Sequence, residues 1–278
     1  MRVLLLALSV WSFAGQGPSV LDQFAAADRT NKTRIIAEVV MGKHPASDAD
    51  VRALLVVAMK DPDMGVRVNA VGSVTTILTM SSMKPVPPGQ EWTARLRSVA
   101  ESLRPQLDEA ANDSEPRVRT EALRGILADV IATQYGGPGR GVPRELAIRL
   151  AAKFDSDPSP VVRGFILQSL TMSGQSVDAT VQALGRTVLL KGAAAIEPAI
   201  VQAAALSVSR VPVPEALPLL VRQLTHSSAA VRVSVAQAIG AFHEAARPYL
   251  PDLQAALSVE TDDIARKTIA GTIAVIGR

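Results

Sequence analysis

The chain has 278 residues, 48% hydrophobic and 20% charged, enough for a sizeable core and too apolar for a disordered polymer. It has no cysteine, which excludes disulfide scaffolds, thiolate metal sites and an acylated lipoprotein anchor. Its 29 Lys and Arg face 26 Asp and Glu, and the stretches 1–83, 84–163 and 164–278 each carry one more basic than acidic residue; no segment gathers the positive charge a nucleic acid would need.

In chain order, Arg2 is followed by an apolar run over residues 3–10 and by Trp11, and Ser12-Phe13-Ala14 puts small residues at both positions a signal peptidase reads. Residues 1–14 are therefore expected to be an export signal, with a periplasmic or extracellular mature chain. The competing reading is a first helix packed on the next, which leaves the chain in the cytoplasm. The run is too short to span a bilayer, and no later stretch is long and uncharged enough. Residues 15–44 are expected to form N-terminal capping helices, with 18–42 an irregular cap.

From residue 45 a segment recurs: a polar turn, then Val-Arg, then apolar residues three and seven positions past the Arg. Asp61-Pro62-Asp63 leads into Val66-Arg67, Asn112-Asp113-Ser114 into Val118-Arg119, and Asp155-Ser156-Asp157 into Val162-Arg163. His226-Ser227-Ser228 leads into Val231-Arg232, and Glu260-Thr261-Asp262 into Ile264 and Arg266. A degenerate copy has Ile200-Val201 at the anchor. Measured at the Arg position, the copies are spaced by 52, 44, 38, 31 and 34 residues. Amphipathic stretches at 48–59, 91–107, 143–154, 177–190, 214–224 and 248–257 lie between them and read as partner helices. Ser47 to Asp50 has capping-box spacing, and Pro143, Pro214 and Pro251 sit where a first helical turn tolerates a missing N–H. Such pairs bury their apolar faces only by stacking. The Pro- and Gly-rich stretches 83–90 and 134–143 read as insertions.

The order of Asp, Val-Arg, Ala and a branched apolar residue resembles HEAT repeats, in a compact form similar to the repeats of phycobilisome lyases, over residues 45–278. The resemblance implies an all-α, right-handed α-α superhelix of about six helical pairs with an interior ladder of hydrogen bonds. It implies that Asp61, Asp113, Asp155 and Asp262 cap the second helices, and that Arg67, Arg119, Arg163, Arg232 and Arg266 bridge to neighbouring repeats. The copy at Val201 departs by losing its Arg, and His226 departs by standing where an Asp is expected. A row of arginines can also grip phosphate, but an acidic residue shortly before each favours the structural role.

Catalytic chemistry is thinly represented. His44, His226 and His243 are too few for most metal sites, no His-Glu-x-x-His occurs, and no cofactor is expected. The HEAT-like deoxyhypusine hydroxylases hold di-iron through four His-Glu pairs; this chain has His243-Glu244 alone. Ser81 and Lys84 have Ser-x-x-Lys spacing without the companion motifs of penicillin-recognising enzymes. Asn31-Lys32-Thr33 and Asn112-Asp113-Ser114 are glycosylation sequons.

What remains is surface. In HEAT-like stacks the second helices line the inner face, and positions two, six and nine past each anchor are expected to be exposed there. From these rows come the candidate partner contacts Asn69, Ser73, Thr76, Glu121, Phe165, Ser169, Met172 and Arg210. The rows are small and nearly neutral, which suits another protein or peptide better than a polyanion. The expected function is a non-catalytic, exported interaction scaffold. The alternatives are a lyase-type or other enzyme on this scaffold, or a nucleic-acid binder, similar to HEAT-like alkylpurine glycosylases, if the N-terminus is not cleaved.

Overall fold

A computed structural model describes residues 18–83, 88–89, 91–133, 141–172 and 178–278. The expected signal at 1–14 and most of the stretches 83–90 and 134–143 lie outside the described residues.

Every regular element among the described residues is helical. The chain runs through α1 (Val20–Ala26), α2 (Arg29–Val40), α3 (Asp48–Ala58), α4 (Met64–Ser82), α5 (Glu91–Arg95), α6 (Arg97–Ser102), α7 (Arg104–Ala110), α8 (Pro116–Ile126) and α9 (Ala128–Thr133). It continues through α10 (Arg144–Ser156), α11 (Pro160–Met172), α12 (Ala179–Ala193), α13 (Pro198–Arg210), α14 (Leu217–Arg222), α15 (Ala229–Gly240), α16 (Leu250–Val259) and α17 (Asp263–Ile276). Short 3₁₀ turns flank α14 and precede α16.

Local chemistry starts many of these helices. Ser19 with Asp22, and Ser47 with Asp50, form full capping boxes for α1 and α3. Asp63, Asp178 and Asp262 each accept two N–H groups at the starts of α4, α12 and α17. The expected helix over 91–107 is three short ones, α5 to α7, separated at Leu96 and Leu103. Pro105 in the first turn of α7 lacks the N–H that would continue the earlier ladder, and both junction leucines are fully buried.

The elements stack in two layers. The second helices α2, α4, α8, α11, α13, α15 and α17 each pack on the next, while α1, α3, α5 to α7, α10, α12, α14 and α16 form the other layer. One continuous apolar core runs from Val20 to Ile276. The six pairs expected from residue 45 onward are present, α3–α4 through α16–α17. The expected capping helices are α1 and α2, and only their irregularity over 18–42 is corrected: they form a further regular pair, because α2 has its own apolar stripe (Ile35, Ile36, Val39 and Val40) to bury against α4. Close approach of second helices needs small residues. At Gly125 of α8, a Cβ would lie 2.8 Å from Thr75 Oγ1, and that hydroxyl donates to the Glu121 carbonyl.

Candidate functional site

The ladder follows one rule of spacing. Six residues before each anchor arginine stands a side-chain acceptor that receives the backbone N–H two residues later: Asp61 from Asp63, Asp113 from Glu115, Asp157 from Ser159, His226 from Ser228 and Glu260 from Asp262. The arginine donates back to the backbone carbonyl of that same residue, as Arg67 does to Asp61, Arg119 to Asp113, Arg232 to His226 and Arg266 to Glu260. Its other nitrogens reach the acid of the next repeat. Arg67 holds Asp113 at 2.8 and 3.0 Å, Arg119 holds Asp157 at 2.9 and 2.7 Å, and Arg232 holds Glu260 at 2.6 Å through both oxygens. Lys32 of α2 takes the arginine's place for Asp61, at 2.7 Å.

Burial is the largest single influence on the Asp113 and Asp157 carboxyls and pushes them up, but the hydrogen bonds and charges of Arg67 and Arg119, together with the backbone N–H groups of Glu115 and Ser159, outweigh it and hold both below the usual carboxylate range. The bidentate grip of Arg232 draws Glu260 down to about 2 against the opposing effect of burial. These are charge-assisted, forked pairs, the stronger kind of hydrogen bond.

Three expectations about the ladder are corrected. Asp155 is exposed and pairs with Lys191; the ladder acid is Asp157, since only it sits six residues before Arg163. Asp61 and Asp113 fold the turn ahead of their helices and do not cap them: Asp63 caps α4, and Glu115 at the start of α8 makes no side-chain cap. Arg266 bridges to no further repeat among the described residues and turns back to Glu260 and Asp263.

Around Val201 the pattern changes. Its place six residues earlier is Ala195, so Arg163 finds no acid there and makes a single bond to Glu197 at 2.8 Å, leaving its buried Nε without a partner. Val201 offers nothing to the following turn. Instead His226, whose Nδ1 accepts from Ser228, faces the Ile196 carbonyl through Nε2 at 3.1 Å, and Gln223 donates to the Ala193 and Ala195 carbonyls. The Nδ1 bond leaves Nε2 as the protonated, donating nitrogen of the neutral ring.

The face of the second helices carries a groove of about 490 Å³ at the seam of α8 and α11, lined by Met64, Arg117, Thr120, Glu121, Arg124 and Val161. Glu121 lies over Gly72 of α4, 3.8 Å from where a Cβ there would stand; burial raises its carboxyl above the usual range, partly offset by Arg124 at 3.6 Å. Arg124 in turn covers the Phe165 ring at 5.7 Å. Val161 is 61% exposed beside them.

Of the expected partner contacts, the structure brings Glu121 and Phe165 together here and leaves Met172 exposed on α11 and Arg210 exposed at the end of α13. Asn69, Ser73, Thr76 and Ser169 are half-buried, and the Ser73 and Ser169 hydroxyls donate to carbonyls of their own helices. The row six past the anchor is corrected: Gly125, Ser207, Ala238 and Thr272 are buried, and Thr171 donates to Ser207 while Thr272 donates to the Ala236 carbonyl. One residue is about 100° on a helix, so this row turns into the seam with the preceding repeat. On α8, α15 and α17 the exposed rows include those two before and five after the anchor, and Val161 of α11 is exposed at the first of these offsets, which is why Arg117, Val161 and Arg124 lie outside the rows two, six and nine past the anchor.

No cluster of three or more His, Asp or Glu arranged for a metal occurs among the described residues, and no described helix is long and apolar enough to cross a membrane. His243 is exposed in a left-handed backbone conformation (φ 47°), and Glu244 faces Arg247 at 3.6 Å.

The geometry defines an all-α solenoid of helical pairs tied by an arginine ladder. Residues 216–246, which hold α14, the His226 turn and α15, match the family model of the HEAT repeat, so the chain carries a HEAT repeat there. The structure is similar to that of human deoxyhypusine hydroxylase in complex with glycerol, with 14% identity, a TM-score of 0.39 and 93% of each chain covered, a likeness too slight to bear on function. No curated protein matches the chain, so the closer likeness to phycobilisome lyases rests on the sequence pattern alone.

Proposed function

We propose that the chain is a non-catalytic scaffold that binds a partner polypeptide on the face of its second helices, at the groove between α8 and α11. The observation that carries this reading is the open seam itself. The second helices pack more closely elsewhere, but here an exposed valine, a half-buried carboxyl and the arginine that covers the Phe165 ring share one depression. Apolar surface beside a few fixed polar groups is the composition of a protein-binding patch. The apolar run over 3–10 and the small residues around Ala14 support export as part of the same proposal.

The test is capture of partners by the wild-type chain and by Val161→Glu and Arg124→Ala from the native extract, with N-terminal sequencing of the mature protein. A partner retained by wild type and lost by both variants supports the reading. Equal recovery by all three, or recovery of nothing above background, overturns the groove, and an intact Met1 overturns export.

A further inference from the structure

We infer that the solenoid bends at one seam, between the pair α12–α13 and the pair α14–α15, with the second helices acting as the axis and the first helices parting. Three independent features meet there.

The first is the missing rung. Each neighbouring seam carries an arginine–carboxylate bond from one second helix to the next turn, whereas Val201 supplies none and the turn is held by neutral bonds from His226 and Gln223 to backbone carbonyls. Hydrogen bonds between neutral groups are about half as strong as charge-assisted ones.

The second is lopsided packing. Helices α13 and α15 are in contact along much of their length and are rich in fully buried small and branched residues, such as Ala205 and Val208 in one and Val231 and Val235 in the other. Helices α12 and α14 touch lightly, mostly through the 3₁₀ turn at Pro214–Ala216, whereas the preceding first helices α10 and α12 pack closely; α14 and α16 also touch little. Apolar contact on one side resists sliding but allows rotation about the contact line, since packing is non-directional.

The third is a cleft of about 240 Å³ between α11, α12 and α13, lined by Leu170, Gly185, Leu189 and Ser207 and bordered by Val211 and Val213 of the connection that leads to α14. The connection that passes it is extended at Val211 and Val213. Among the described residues the one ion pair across the α12–α14 side is Arg186 with Glu215, both about half exposed, an arrangement of small energetic worth. Parting of α12 and α14 moves the Val211–Val213 connection at the edge of this cleft and reorients α14 to α17 as a body, which keeps its own Arg232–Glu260 rung.

The chain lacks cysteine, so spin labels can be placed singly. Nitroxide pairs at Ala152 and Ala183 report on α10 against α12, and pairs at Ala183 and Arg222 report on α12 against α14; all three positions are exposed. The expected distance distribution for the second pair is about twice as wide as for the first, and amides of α14 exchange roughly tenfold faster than those of α10. Equal widths together with equal exchange overturn the inference. Val201→Arg with His226→Asp rebuilds the rung and is expected to narrow the second distribution to the width of the first; a folded double variant that leaves it broad also overturns the inference. If that variant does not fold, His226→Ala serves instead: it is expected to speed exchange further in α14 and not in α10, and an effect spread evenly over both overturns the inference.

Discussion

The seam of α8 with α11 and the seam of α13 with α15 join equivalent helices by opposite means. At the first, the second helices touch least of all their kind among the described residues, and the Arg119–Asp157 pair is the most deeply buried rung, its side chains 6% and 1% exposed. At the second, the helices pack closely and the ion pair is gone. At these two seams charge and apolar packing stand in for one another, whereas α4–α8 and α15–α17 use both. A buried forked pair fixes register where a groove interrupts the packing, and packing suffices where the arginine is lost.

The sharpest way to break this comparison is Asp157→Ala. It strands a buried guanidinium, and an uncompensated buried charge costs about 3–5 kcal/mol, so a large fall in melting temperature is expected. A loss no greater than that of a surface substitution would show that the α8–α11 seam does not depend on its rung.

Acid attacks the same carboxyls together. Asp113, Asp157 and Glu260 bind protons less readily when folded than in the unfolded chain, so their stabilisation is complete above the ordinary carboxylate values near 4 and is lost as pH falls below them, for Glu260 through about 2. Urea unfolding between pH 6 and pH 2, read with amide exchange, is expected to loosen the α4–α8, α8–α11 and α15–α17 seams ahead of α13–α15.

At the uncharged seam, His226→Ala removes two neutral hydrogen bonds and should lower stability by about 1 kcal/mol, measured by urea unfolding at neutral pH. A loss equal to that of Asp157→Ala would erase the distinction between the two seams. The smallest effect is expected at Arg266→Ala. This arginine has the ladder register and no acid ahead of it, is about half exposed, and should shift stability by less than about 0.5 kcal/mol.

Much of the architecture was legible in the residues. The Val-Arg anchors and the apolar positions behind them located the second helices α4, α8, α11, α13, α15 and α17, because a buried helical stripe must repeat with the period of the helix. The break at Val201 was legible too. The identity of the acids was partly so: the constant offset of six residues marks Asp157 over Asp155 and Glu260 over Asp262, and the eye for a capping residue next to the helix missed it.

The groove was not legible, and neither was the face it opens on. Local periodicity determined that each second helix has a buried stripe, since that follows from 3.6 residues per turn. Which neighbour covers each remaining row depends on how far one pair is rotated and displaced against the next. That is decided only when all the pairs stack, by side chains such as Arg119, Asp157 and Thr272 meeting partners 36 to 38 residues away. Glu121, Arg124 and Phe165 come together for the same reason, from two helices whose separation no local pattern encodes.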